Sequence, residues 1–169
     1  MNALEFLSTR PAPAADFRPL ARSPLERALR RVPRTVRLED LSLALAKLEV
    51  RGDLEALGRV DLLRITPRRG LVLAPAAEAE TVEARLRTQA ETVIDRTGAL
   101  AGLRIEGAAA ATLLRRLTDL DLERLPAAGA VARVPALLRG GGESYELFWP
   151  QEYGHYLAEV VLDAAEGLA

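Results

Sequence analysis

Hydrophobic and polar positions change period several times along the chain, and each change predicts an element. Over residues 35–74 the period is two: Leu41, Leu43 and Leu45 share one parity and Leu48 and Val50 the other, so strands are expected, with a bulge near Ala46 absorbing the slip. Residues 62–65 and 71–73 flank Thr66-Pro67-Arg68-Arg69-Gly70, which predicts a hairpin. Pro75 opens a helix to about Ala90, with Glu78, Glu80 and Glu83 early and Arg85 and Arg87 late, as the helix dipole favours; Glu83 and Arg87 can pair, and Ala79, Val82 and Leu86 form the inner stripe. Residues 92–95 and 100–106 read as strands, the second with Leu103 and Ile105 facing in and Arg104 and Glu106 facing out. Ala110, Leu113, Leu114 and Leu117 then mark the apolar face of a helix. Strands are expected over 130–138 and 143–149, the second carrying Tyr145, Leu147 and Trp149 on one face. Pro150 opens the last helix, with a stripe of Tyr153, Tyr156, Leu157, Val160, Val161 and Ala164.

Residues 92–168 thus run β-β-α-β-β-α, and residues 35–90 supply further strands and one helix. Strands arriving in pairs without a crossover helix predict an α+β fold of ferredoxin-like halves, mainly antiparallel sheets each with helices on one face. The domain reading is an extended Pro-containing arm over 1–22 and a single unit over 23–169, with halves of about 23–91 and 92–169. Ser23-Pro24-Leu25-Glu26 reads as a capping box opening a short helix that ends before Pro33. The arm contains Pro11, Pro13 and Pro19 and no helical period, yet it holds Leu4, Phe6, Leu7, Phe17 and Leu20. A solvated linker is poor in aromatics, so these five side chains are expected to lie on an apolar surface, either their own domain or another chain, and the reading adopted is a partner contact or self-association.

Composition narrows the chemistry. The 23 basic and 24 acidic residues of this 169-residue chain leave a formal charge of −1, so no global field favours nucleic acid or an anionic membrane. The absence of Cys excludes disulfides, thiolate metal sites and thiol nucleophiles, and a single His excludes multi-histidine metal sites. No charged start followed by a long apolar run marks a secretory signal, so a cytoplasmic address is expected.

Each candidate site has a plainer reading. Gly140-Gly141-Gly142 is followed by a predicted strand rather than a helix N-terminus, which makes it a hairpin turn and not a phosphate loop. Asp119 and Asp121 offer paired carboxylates but follow a helix, where Asp forms turns. Arg64, Arg68 and Arg69 read as a solvated turn before they read as a carboxylate-binding patch. His155 falls at the margin of its helix stripe, and neither Ser23 nor Ser144 has a base at a recognisable spacing. Tyr145 and Trp149 alternate with Leu147 as core residues do.

Val93-Ile94-Asp95-Arg96-Thr97-Gly98, Leu103-Arg104-Ile105-Glu106-Gly107, Leu113-Leu114 and the Thr118-Asp119-Leu120-Asp121-Leu122 loop running to Gly129 resemble the folate-binding domain of the glycine-cleavage T-protein and its relatives. Tyr145-Glu146-Leu147 and the closing helix continue the likeness. Within that superfamily, Arg22-Ser23-Pro24-Leu25 and the stretch from Pro150-Gln151-Glu152-Tyr153 to Ala164-Ala165 look most like the gamma subunit of heterotetrameric sarcosine oxidase. The T-protein hairpin that carries the catalytic aspartate is not matched by Leu138-Arg139-Gly140-Gly141-Gly142-Glu143, so no acid there inherits its role.

The resemblance implies a non-catalytic subunit docked to a large folate- and dinucleotide-binding subunit. No catalytic, cofactor-binding or metal residue is assigned to this chain; FAD, FMN, NAD and tetrahydrofolate are implied for the partner subunits only. The alternative is a stand-alone folate-binding protein or aminomethyltransferase-like one-carbon transferase.

Overall fold

The computed structural model describes residues 21–31 and 33–168. In chain order its strands are β1 (Arg37–Asp40), β2 (Leu45–Arg51), β3 (Asp61–Thr66), β4 (Arg69–Pro75), β5 (Thr92–Asp95), β6 (Leu100–Glu106), β7 (Ala127–Val131), β8 (Val134–Gly141) and β9 (Ser144–Pro150). Its helices are α1 (Ala79–Arg87), α2 (Ala110–Arg115) and α3 (Gly154–Glu166). They build two antiparallel sheets, one ordered β1-β6-β9-β8-β7 and the other β3-β4-β2-β5. This is the expected α+β class.

Three apolar layers hold the sheets and helices together. Leu103, Ile105, Leu138, Tyr145, Leu147 and Trp149 of the five-stranded sheet bury one face against Leu113 and Leu114 of α2 and Leu157, Val161 and Leu162 of α3. Leu48, Val50, Val72 and Val93 of the four-stranded sheet pack on Leu86 of α1. Leu41, Leu63, Leu71, Leu73 and Phe148 fill the space where the sheets face each other. The order is therefore helix, sheet, sheet, helix, because each strand's alternate side chains need cover on both sides. Among the described residues no helix is long and apolar enough to cross a membrane.

Several expectations need correction. The parity slip near Ala46 comes from a reversal and not a bulge: Asp40 Oδ1 accepts from the backbone N–H of Ser42 at 2.8 Å, and the chain turns from β1 in one sheet to β2 in the other. Leu43 sits on that turn and is 46% exposed. The expected strand over 130–138 is a hairpin, β7 and β8 joined at Ala132 and Arg133. Tyr153 and Tyr156 leave the predicted stripe and are exposed; α3 instead buries Leu157, Ala158, Val161, Leu162 and Ala165. Arg104 faces the opposing sheet rather than open solvent, since its ion-pair partners Glu39 and Glu146 lie there with it. Strands pair across residues 91 and 92: β1 joins β6, and β5 joins β2.

Candidate functional site: the cleft between the sheets

Where the sheets diverge, a cleft of about 550 Å³ opens. Its floor is the inner face of the five-stranded sheet, with Ala128 paired to Leu137, Ala130 to Pro135 and Leu137 to Phe148 across neighbouring strands. Ile65 and Leu71 of the opposite sheet form its wall, and Glu49, Arg69, Arg96 and Arg133 supply its charges. A second hollow of about 370 Å³, between α1 and β3–β4, is more polar and lies on the far side of the four-stranded sheet.

Glu49 is buried in β2 and held by two guanidinium groups. Its Oε1 accepts from Arg51 Nη2 at 2.8 Å and Arg69 Nε at 3.0 Å, and its Oε2 accepts from Arg69 Nη2 at 2.9 Å. The Arg69 hydrogen bonds hold the carboxyl below the usual carboxylate range; burial opposes them and Arg51 reinforces them. With its lone pairs engaged and its proton affinity lowered, Glu49 is not placed to carry protons. Arg96 and Arg133 make no ion pair among the described residues. The arrangement suits an apolar body bearing a carboxylate, and among the described residues it presents no nucleophile beside a base.

Further along the inter-sheet layer a charged network replaces apolar contact. Arg104 donates to Glu39 and Glu146, each at 2.7 Å; Arg139 pairs with the same Glu146 and reaches Asp61 in the other sheet. The Glu146 hydrogen bond leads the causes that raise the Arg104 pKa, against a burial cost. In β2, Lys47 is wholly buried, and its Nζ donates to the carbonyls of Ser42 at 2.7 Å and Leu45 at 2.9 Å.

The predicted site residues are scattered. Leu4, Phe6, Leu7, Phe17 and Leu20 lie outside the described residues. Gly142 and Glu143 form the β8–β9 turn, and at Gly140, where φ is +119°, an added Cβ would meet Ser144 O at 2.2 Å. Asp121 Oδ1 accepts from the Glu123 backbone at 3.0 Å, the expected turn role. Arg64, Arg68 and Arg69 are tied to Glu55, Glu91 and Glu49 and form no free patch. His155 is exposed, 4.0 Å from Glu159. Ser23 Oγ accepts from Leu25 N at 3.0 Å as a cap would, but the turn it opens is a short 3-10 helix at Ala28–Arg30. Tyr145 and Trp149 are core, the latter with its indole N–H unpartnered among the described residues. Among the described residues there is no cluster of three or more His, Cys, Asp or Glu fit to hold a metal.

Glu49, Lys47 and Arg133 escaped the sequence reading, and Arg96 entered it only within the stretch that carries the resemblance. The visible signal was in β2, where charges at 47 and 49 interrupt an otherwise apolar strand buried on both faces.

No protein-family model matches the chain, and no curated protein matches it by sequence. Solved structures do match. One chain of the heterotetrameric sarcosine oxidase from Corynebacterium sp. U-96, solved in complex with pyrrole 2-carboxylate, superposes with a TM-score of 0.71 at 23% identity, covering 88% of this chain and 96% of that one. The glycine cleavage system aminomethyltransferase T from Bartonella henselae superposes with a TM-score of 0.58 at 20% identity over 82% of this chain. This chain spans about half of that protein, 48% of its length. The chain therefore has the folate-binding-domain-like fold that its sequence resemblance implied, shared with a sarcosine oxidase chain and with part of aminomethyltransferase T.

Proposed function

We propose that this chain is a non-catalytic structural subunit, gamma-like, of a heteromeric sarcosine-oxidase-like complex that demethylates an N-methyl amine and passes the one-carbon unit to tetrahydrofolate. The observation that carries this reading is the extent of the superposition: nearly a whole chain of a heterotetrameric enzyme is matched by nearly the whole of this one. The cleft supports it, because the one carboxylate that lines it among the described residues, Glu49, is neutralised by Arg51 and Arg69. In this reading FAD, FMN, NAD and tetrahydrofolate belong to the partner subunits, the large one binding folate and dinucleotide, and the assembly is cytoplasmic.

The test is purification of the tagged chain from its native host, with partners identified by mass and the complex assayed with sarcosine and tetrahydrofolate. A flavin-containing complex that turns over, beside an isolated chain that does not exceed a buffer blank, is the expected result. An isolated chain that turns over overturns it.

The dimensions of the cleft favour a second reading, a stand-alone folate-binding protein, since about 550 Å³ falls in the range of ligand pockets and Arg96 and Arg133 there make no ion pair among the described residues. Calorimetry of the isolated chain with tetrahydrofolate separates the two: saturable binding supports the second reading, and no heat supports the first.

A further inference from the structure

We infer that the cleft binds an elongated, apolar-bodied molecule with a carboxylate at each end, one end held by Arg133 and the other by Arg96. The inference goes beyond both readings above and depends on neither.

A row of four apolar residues crosses the floor. Ala130 pairs with Pro135 across β7 and β8, and Leu100 pairs with Pro150 across β6 and β9. The β8–β9 register, in which Leu137 meets Phe148, brings Pro135 level with Pro150 two residues further on. Neither proline has an N–H, so the β8–β9 ladder stops short of them, where the sheets diverge. All four residues line the cleft; Ala130 and Pro135 are exposed, and Pro150 and Leu100 are half-buried. With Ile65 and Leu71 of the other sheet as its wall, the row is the base of an open apolar trough. Four strands spaced by about 4.8 Å make it about 14 Å long.

The cations stand at the two ends of this trough. Arg133 lies on the turn between β7 and β8, next to the Ala130–Pro135 end. Arg96 lies at the Leu100 end, where the Leu100 N–H donates to the Arg96 carbonyl at 3.0 Å. Both arginines line the cleft, and neither makes an ion pair among the described residues. Arg69 also lines it, but its charge is offset by Glu49. A guanidinium presents a planar fork that matches a carboxylate, so an arginine at each end selects an anion at each end. Between them the row itself carries no polar side chain, and a polar group held over it would lose water without gaining a partner. The ligand's middle is therefore apolar. Arg133 is also held in place at a cost, because its φ is +67° on a turn that contains no glycine.

Titration calorimetry of the full-length chain with dodecanedioate as the probe tests this. Saturable binding of one molecule per chain is expected, at least about tenfold tighter than that of its monomethyl ester, which keeps the length and loses one charge. Adipate, too short to reach both arginines, should bind at least about tenfold more weakly as well. Arg133→Gln and Arg96→Gln should each weaken dodecanedioate at least about tenfold and bring the diacid and the monoester within about twofold of each other. Ala130→Trp, which fills one exposed end of the trough, should abolish binding, whereas Thr88→Trp, exposed at the end of α1, should leave it unchanged; far-ultraviolet circular dichroism checks that each variant is folded. Absence of binding, or equal affinity for the diacid and the monoester, would overturn the inference. Indifference to either arginine variant, or binding that survives Ala130→Trp, would overturn it too.

Discussion

Lys47 shows how a single side chain can set a pH dependence. Its ammonium has exchanged water for two backbone carbonyls, with Asp40 and Asp95 acting only from a distance. Burial pushes its pKa down from 10.5 to about 8, against the pull of those two carboxylates. Between those values the unfolded chain binds a proton that the folded chain has released, so stability rises with pH across the window and is lowest below it. We expect the wild-type protein to gain on the order of 2–3 kcal/mol relative to Lys47→Met between pH 7 and pH 10.5. Urea unfolding midpoints of both proteins across that range check it, and a constant difference would show that the lysine titrates normally in the fold.

At the scale of elements, the β7–β8 hairpin is the least expected feature. Two-residue hairpin turns with positive φ at both central positions favour Asn-Gly, but here Ala132 and Arg133 adopt φ of 47° and 67°. Tertiary contacts hold the turn: the Ala132 N–H donates to Leu117 O at 2.7 Å, and Thr118 Oγ1 donates to Ala130 O at 2.6 Å. Relieving the strain should stabilise the protein. Ala132→Asn with Arg133→Gly is expected to add about 1 kcal/mol, read as a rise in Tm, whereas Leu117→Pro, which bends the anchor away, should lower it. The opposite sign for the Asn-Gly pair would mean that the arginine side chain contributes more than the backbone strain costs.

At the scale of the molecule, the exchange of strands makes the two halves interdependent. β1 completes a sheet whose other strands come from residues 100–150, and β5 completes one built from residues 45–75. Arg139 and Asp61 form a further tie between the sheets. Residues 92–169 alone would therefore leave β6 with an open edge and β5 without a partner, while the floor face around Phe148 would lose its cover. We expect that fragment to show no cooperative unfolding. The full chain should unfold in one transition, superimposable by far-ultraviolet circular dichroism and by the fluorescence of its one tryptophan, Trp149. A cooperative transition in the fragment would overturn this.

The sequence by itself determined the class of the fold and most of its elements, because periodicity is a local record of which side of each strand or helix is buried. Leu103 and Ile105, Tyr145 and Leu147, and the Val82 and Leu86 stripe all face the core as their spacing demands. It also marked the Gly142 turn and the Glu83–Arg87 pair at 2.5 Å, whose partners are neighbours in the chain. Tertiary structure alone decided the rest. Gly70 read as a turn residue, but it lies within β4, where an added Cβ would meet Leu62 at 2.5 Å across the hairpin. The β7–β8 reversal is fixed by Leu117 and Thr118, distant in sequence. Glu49 and Arg133 enter one cleft only because two sheets, one built from β2–β5 and the other from β1 with β6–β9, close face to face, and no local pattern of hydrophobic and polar residues specifies which sheet a strand joins.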